Sequence, residues 1–440
     1  MKDIPQLPGG GVLGHVDEFR ANLLNLLVRT WRELGDIARF RVLNRWIVTV
    51  HDTDAIHEVL VTRARDFAKS YALRVTFRPL LGEGLVTSEG AFWRHQRKAI
   101  APLFATEQVH RYADLMAECA FRAIADWKDG QTLDVFDETM KIALNVVSRS
   151  LLGVQSWDES EQIGAAMDEV QERFMSKLTS CPLPTWVPTP ANRRLTRALG
   201  VLEDKITGII TDRRASPERE QPDVLTLLLG TPDEVEGNVM TDEQLRDEVM
   251  TMYVAGHETM ASALAWTIHE LVKNPTVYER LQEEVKPLGL RPLTAADLPS
   301  LRYTTCVFKE SLRLHPPAYV IGREAADDTE IGGYPIPAGT NVIMSPYVQH
   351  RRHDLFPNPE QFDPDRFASG EPPKYHYIPF GAGPRVCIGQ GFALAEGPLV
   401  LATLAQHARF EAEDGGNRPK QDPLVTLRPQ GLALKVRLLS

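Results

Sequence analysis

One cysteine of this chain stands in a loop that could present it to another molecule. The residues from Phe380 to Gly389 place Cys387 among three glycines and a proline, directly before a helical pattern. The helix dipole, its free N–H groups and the charge of Arg385 favour the thiolate form of such a thiol. Glycine lets another body approach the backbone because it has no Cβ. The loop therefore predicts a thiolate bound to something large and flat, and the alternative is a small buried cysteine in a tight turn.

A second candidate site lies at the centre of a long helical pattern. Thr241 to Gln244 form a capping box and Lys273 to Pro275 form a stop, so one helix of about 50 Å is predicted between them. Its centre reads Ala255-Gly256-His257-Glu258-Thr259. A carboxylate beside a hydroxyl is what a proton relay needs, and the small Gly256 would open a groove. The alternative is close helix packing at Gly256, with Thr259 as a satisfied core hydroxyl.

Two further pairs have the spacing of side chains that share one helix face. Glu310 and Arg313 are three residues apart, and Arg366 in a proline-rich connector could complete a buried arginine–carboxylate–arginine network. The alternative is a weak surface ion pair. Trp93 and Arg97 are four residues apart and would direct two donors towards a carboxylate, although such a pair is often only a packing contact.

The bulk composition limits the function classes. The chain has 440 residues, 43% of them hydrophobic and 25% charged, with a net charge of −10 that argues against general nucleic-acid binding. Four distant cysteines without a CxxC pair fit a reducing compartment and no zinc site. The N-terminal residues lack the apolar core of a signal peptide, and the longest early apolar run, around Leu23 to Val28, is too short to cross a bilayer. A soluble cytoplasmic protein without a membrane anchor is expected.

The coarse order of elements predicts a mainly α-helical fold with small β-sheets, in a single domain over 1–440. A β-rich part is expected at about 30–65, a helical body at about 90–315 and the cysteine loop at 380–389. The finer predictions are a hairpin of Ile37–Val42 with Trp46–Val50, a short helix over Asp52–Leu60, long loops over Asp66–Gly90 and Ser216–Asn238, and helix breaks at Lys128–Thr132, Gly153–Trp157 and Cys181–Asn192.

Together these motifs resemble the cytochrome P450 superfamily of haem-thiolate monooxygenases. The tryptophan–arginine pair is similar to its haem-propionate motif, the centre of the long helix to its oxygen-activation motif, and the cysteine loop to its haem-binding signature. Glu310, Arg313 and Arg366 look like its structural triad. Met260 departs from the pattern, since many relatives carry a second threonine there.

The resemblance implies a long central helix that crosses the domain over haem b, with Cys387 as the iron ligand. It implies catalytic roles for Thr259 and Glu258. Further cofactor contacts would be Trp93, Arg97, Arg323, Phe380, Arg385 and Gly389. Such a monomeric enzyme would use O₂ and electrons from a separate ferredoxin or flavodoxin with its NAD(P)H-dependent reductase.

Family alignment also indicates a mostly apolar substrate site, which favours hydroxylation of a lipophilic terpenoid or fatty acid. The alternative is that these side chains are ordinary core. Two other functions stay open, a peroxide-driven peroxygenase of the same fold and a non-catalytic haem or gas sensor. The predicted substrate contacts are Phe77, Leu80, Phe174, Ala255, Tyr319 and Val320.

Overall fold

The computed structural model describes residues 3–154, 157–179, 186–215, 223–230, 240–413 and 419–439. Helices provide most of the regular structure and form the body of the molecule. They are α1 (Val16–Leu34), α2 (Thr53–His57), α3 (Arg78–Leu81), α4 (Gly90–Ile100), α5 (Thr106–Ala125), α6 (Val135–Leu152), α7 (Ser160–Thr179), α8 (Pro190–Ala215), α9 (Val224–Leu229), α10 (Asp242–Lys273), α11 (Pro275–Val285), α12 (Arg302–Leu314), α13 (Pro346–Gln349) and α14 (Gln390–His407).

Within the described residues, the strands build four small sheets. The largest has five strands in the order β1-β2-β8-β5-β3, and only β2 and β8 run parallel in it. This sheet joins the N-terminal part of the chain to the segment after α12. The strands are β1 (Ile37–Val42), β2 (Arg45–Val50), β3 (Phe67–Lys69), β4 (Thr132–Asp134), β5 (Ile321–Ala325), β6 (Thr329–Ile331), β7 (Tyr334–Ile336), β8 (Asn341–Met344), β9 (Ala408–Glu411), β10 (Lys420–Pro423), β11 (Leu427–Gln430) and β12 (Ala433–Leu438).

Helix α10 is the long helix that the sequence predicts. Thr241 caps it, and the Thr241 and Gln244 side chains form the reciprocal capping box. Most of its residues are buried, and it packs against α6, α8, α12 and α14. Gly256 lies where α10 approaches α6, since a Cβ there would stand 2.7 Å from the Val147 Cγ2 atom. Close packing, the alternative stated for Gly256, therefore accounts for this glycine.

The prediction of a mainly helical fold with small sheets is confirmed, and several local predictions need correction. The region 66–90 is not one long loop, because it contains β3, a π-helical turn over Ala72–Thr76 and α3. Most of 216–238 and part of the break at 181–192 lie outside the described residues, but the apolar run at 224–229 forms α9. The single-domain organisation stays a prediction.

Candidate active site

The cysteine loop is fixed by short backbone contacts before α14 begins at Gln390. The Cys387 N–H donates to the Phe380 carbonyl at 2.9 Å, and a 3₁₀ turn spans Gly383–Arg385. Gly383 has φ +71°, and a Cβ there would lie 1.9 Å from the Leu60 carbonyl oxygen. Glycine is required at this position both by the left-handed conformation and by the close approach. Phe380 is partly buried against the main core.

Cys387 faces an internal space. Its thiol lies deep within the protein, yet the residue keeps a large accessible surface. Both observations hold only if the loop borders a cavity. Burial raises the pKa of the Cys387 thiol, while the Gly389 N–H and the Arg97 charge act in the opposite direction. These last two groups are the ones that would stabilise a thiolate.

The middle of α10 also borders open space. Ala255 is exposed and Thr259 is half-buried, although neighbouring His257, Glu258 and Met260 are buried. Residues four apart share one helix face, so Ala255 and Thr259 mark a single open strip on an otherwise buried helix. The Thr259 hydroxyl donates to the Ala255 carbonyl at 2.8 Å. This contact leaves the lone pairs of its oxygen available on the open side.

The Glu258 carboxylate does not face the open strip that Thr259 borders. Successive helix residues point in different directions, and the Glu258 carboxylate turns away from the open strip. It accepts a hydrogen bond of 2.6 Å from the Thr426 hydroxyl in the turn between β10 and β11. Burial raises the pKa of Glu258, and Thr426 and Arg428 counteract that rise. The structure thus separates two side chains that the sequence places side by side.

Trp93 stands at the centre of a cation cluster. The cationic groups of Lys69, Arg385 and Arg97 lie 5.5, 5.4 and 5.9 Å from its ring centroid. Arg323 joins them because β5 pairs with β3 in the register that sets Lys69 opposite Arg323. Burial lowers the pKa of Lys69 to about 7 and that of Arg323 to about 10. The cost of burying these charges shows that the protein alone does not balance them.

Few carboxylates face this cluster. Glu89 accepts hydrogen bonds from Arg385 Nη2 at 2.7 Å and from the backbone N–H of Lys69. Arg97 and Arg323 have no carboxylate partner among the residues that the structure describes, and Arg323 donates only to the Gly322 carbonyl. Four cations face Glu89, and Glu248 adds a smaller effect on Lys69 alone, so excess positive charge is left in a mostly buried place. Such a site fits a bound dianion, as the two carboxylates of a haem would provide.

Arg385 also holds the cysteine loop to the neighbouring strand. Its Nη1 donates to the Phe67 carbonyl at 2.7 Å and its Nη2 to Glu89. Its Nε is buried and has no partner among the described residues. The guanidinium therefore ties the cysteine loop to β3 and keeps one donor for another group.

Glu310, Arg313 and Arg366 lie together and are not a surface pair. Arg313 forms two parallel hydrogen bonds with the Glu310 carboxylate, at 2.7 and 2.8 Å, and both side chains are 0% exposed. Arg366 Nε donates to the same carboxylate at 3.3 Å. The remaining Arg313 donors reach the carbonyls of His350, Pro359 and Gln361. The network fastens α12 to the connector before the cysteine loop.

The predicted substrate contacts divide into two groups. Leu80, Phe174 and Tyr319 are buried by protein, which favours the alternative that they are core. Tyr319 is held by hydrogen bonds from its hydroxyl to the Pro423 and Leu424 carbonyls, at 3.0 and 2.6 Å. Phe77, Ala255 and Val320 keep accessible surface.

Three residues of the site escape the sequence reasoning. Lys69 could have been found from the sequence. It lies two residues after Phe67 in a short strand, so its side chain points to the same, buried side. Glu89 and Thr426 had none, since their partners lie 296 and 168 residues away in the chain.

Known proteins resemble this chain over most of its length. The family model "Cytochrome P450" matches residues 5–436. The chain belongs to the cytochrome P450 family. It is 35% identical to "Cyclooctatin synthase" of Streptomyces melanosporofaciens, over 90% of this chain and 87% of the relative. It is 38% identical to "Cyclooctat-9-en-7-ol 5-monooxygenase" of the same organism (77% and 75%) and 32% identical to "Pentalenene oxygenase" of Streptomyces avermitilis (88% and 86%).

Family membership settles the reaction class and the cofactor. This cytochrome P450 is a monooxygenase, an oxidoreductase that carries haem b through a cysteine thiolate and uses O₂ with electrons from a redox partner. Within the described part of the chain, no helix combines the length and apolar character that crossing a bilayer requires.

Proposed function

We propose that this cytochrome P450 hydroxylates a lipophilic substrate at the open strip of α10. A terpenoid fits this proposal better than a fatty acid. The observation that carries this proposal is Ala255, an exposed small residue at the centre of a buried helix. Phe77 and Val320 add accessible apolar surface. Two relatives are named for pentalenene and for cyclooctat-9-en-7-ol, one an alkene and the other an unsaturated alcohol with a single hydroxyl. An apolar site would take such molecules by burying their hydrocarbon surface.

Cys387 is the proposed iron ligand. The haem, when bound, supplies the redox chemistry that splits O₂ and transfers one oxygen atom to the substrate. The loop glycines let that large partner approach the backbone, and Phe380 shields the sulfur side. The Gly389 N–H donates towards the thiol and Arg97 adds positive charge, so both lower the free energy of the thiolate.

The cation cluster is the proposed cradle for the two haem carboxylates. Trp93, Arg97 and Arg323 supply donors that no carboxylate of the described chain uses. Lys69 joins this set, although its amine also donates to the Leu85 and Ser88 carbonyls at 2.8 and 2.6 Å. Arg385 contributes its remaining Nε and otherwise positions the loop.

Thr259 and Glu258 are the proposed proton-handling residues. Thr259 keeps a hydroxyl on the open strip, where it holds a proton at Oγ1 and orients a neighbouring water. Glu258 lies behind it, buried, and its raised pKa suits an acid that gives up a proton and takes another. The Glu310–Arg313–Arg366 network is the proposed structural brace of the cysteine loop.

The iron ligand can be tested by spectroscopy. Cys387→Ala is expected to lose the haem or its thiolate signature in the carbon-monoxide difference spectrum. Cys306→Ala, which changes a half-buried cysteine of α12, should keep that signature. A normal thiolate spectrum in the Cys387 variant would refute the assignment.

Substrate class and oxygen source need a separate experiment. Terpenes, fatty acids and steroids are titrated into the ferric enzyme, and compounds that shift its haem spectrum are then incubated under ¹⁸O₂. A single labelled oxygen in the product is expected with NADPH, ferredoxin and its reductase. Comparable turnover with hydrogen peroxide alone would favour the peroxygenase alternative. Ligand binding without any turnover would favour the sensor.

The cellular setting is part of the proposal. The enzyme would work in the cytoplasm as a monomer, supplied by a separate ferredoxin or flavodoxin and its reductase. Reconstitution with each donor protein measures which one reduces the haem, and light scattering measures the mass in solution.

A further inference from the structure

The Glu258 carboxylate is held by a part of the chain far from α10. Thr426 lies in the turn between β10 and β11, and its hydroxyl donates to Glu258 Oε1 at 2.6 Å. Both residues are buried, at 4% and 2% exposure, so water does not compete for this bond. Ser262, one turn further along α10, meets the Thr426 hydroxyl at 3.3 Å.

The turn that carries Thr426 is firmly anchored. The Tyr319 hydroxyl donates to the Pro423 and Leu424 carbonyls. The Trp266 indole donates to the Leu427 carbonyl at 2.9 Å, so α10 itself holds the turn on the other side. Thr426 is therefore presented to Glu258 at a fixed distance, and the same turn supports the segment that contains Tyr319.

Charged groups surround the carboxylate on its outer side. Arg428 of β11 acts on Glu258 electrostatically, and it forms an ion pair with Asp168 of α7. Asp422 of β10 lies 3.7 Å from Arg428, and Gln171 of α7 also faces Glu258. Arg428 is 12% exposed and Asp168 is 57% exposed, so the ion pair lies between Glu258 and solvent.

We propose that Thr426 is a positioning residue for Glu258, through which the β10–β11 turn keeps this buried acid able to exchange its proton. A buried carboxyl without a donor stays protonated, because nothing replaces the water that stabilises its charge. A hydroxyl that donates to the carboxylate favours the ionised form and keeps both forms accessible. The inference rests on the proposed role of Glu258 in proton handling.

The test compares Thr426→Val, which keeps the shape and removes the donor, with Thr426→Ser, which keeps the donor. Thr426→Ala gives a second donor-free variant should valine disturb the turn. Infrared spectra of the haem-loaded enzyme are recorded against pH, and the carboxylic-acid band absent from Glu258→Gln is assigned to Glu258. Thr403→Val serves as the control, since it removes a buried hydroxyl that bonds only within α14.

The pKa of Glu258, measured from the titration of that band, is expected to rise by about one to two units in Thr426→Val and Thr426→Ala. In Thr426→Ser it should return to the value of the native protein. Turnover should fall about tenfold, with a larger solvent deuterium isotope effect. Unchanged band titration in both donor-free variants would overturn the positioning role. A shifted band in an enzyme whose Glu258→Gln variant keeps full turnover would support the positioning role and refute the proton-handling role.

Discussion

Glu248 on α10 offers a sharp test of the electrostatics of this fold. Its side chain is 0% exposed, and Oε2 accepts the Leu85 N–H at 3.0 Å. Its Oε1 has no partner among the described residues. Burial raises the pKa of Glu248 from 4.5 to about 8, with opposing contributions from the Leu85 N–H and Lys69 and a further rise from Asp247. We expect Glu248→Gln to stabilise the protein at alkaline pH.

The sign follows from proton linkage. Between pH 4.5 and about 8 the folded protein holds a proton on Glu248 that the unfolded chain releases, so native stability falls as pH rises through this window. Glutamine never ionises and removes that loss. The shift from 4.5 to about 8 corresponds to a gain on the order of 5 kcal/mol at pH 9, at about 1.36 kcal/mol per pKa unit, and to almost none at pH 4.5.

Urea unfolding of the haem-loaded enzyme at pH 5, 7 and 9 measures this gain. The difference between variant and native protein should grow with pH. Glu283→Gln, an exposed position on α11, should show no such growth. Parallel pH profiles for Glu248→Gln and native protein would refute the reasoning, because they would mean that Glu248 is already ionised in the fold or exchanges freely with water.

Three other variants probe the brace, the loop and the open strip. Arg313→Met should cost about 3–5 kcal/mol in urea unfolding and reduce haem content. Arg280→Met, which removes an exposed arginine, should cost no more than about 1 kcal/mol of unfolding free energy. Equal losses in the Arg313 and Arg280 variants would contradict the burial argument. Gly383→Ala should abolish the thiolate spectrum, whereas Gly391→Ala, which meets nothing within 4 Å, should preserve it. Thr259→Ala should retain haem but divert reducing equivalents to peroxide, measured as peroxide per NADPH; full coupling would speak against its proposed role.

The sequence was most informative about elements whose bounds are set by residues nearby in the chain. The capping box at Thr241 and the stop at Asn274 delimit α10 as predicted, because caps act within one turn of the chain. The hairpin of β1 and β2 formed at its predicted place, with β2 beginning one residue earlier, at Arg45. The predicted helix over 52–60 begins at Thr53 and continues as a π-helical turn to Thr62.

Adjacency in the sequence does not show which way two side chains of a helix point. The shared proton-handling role of Glu258 and Thr259 stays a prediction, but consecutive residues of an α-helix face different neighbours, so Glu258 accepts from Thr426 and Thr259 donates to Ala255. The region 66–90 lacked a steady period because its elements are only three to five residues long. Their positions depend on tertiary partners, such as the lysine of β3 that holds two carbonyls of this region.

Residue spacing alone could not predict the cation cluster, because sheet pairing assembles it; the family resemblance named Arg97, Arg323 and Arg385 but not Lys69. Lys69 and Arg323 meet only through the β3–β5 register, and Arg385 arrives with the cysteine loop. Burial of these cations without equal negative charge destabilises the folded protein when haem is absent, as the lowered pKa of Lys69 indicates. A bound dianion would reverse that cost and raise the same pKa. The proposed cradle therefore couples cofactor binding to folding: the charges that recognise the haem are those that the protein alone leaves unbalanced.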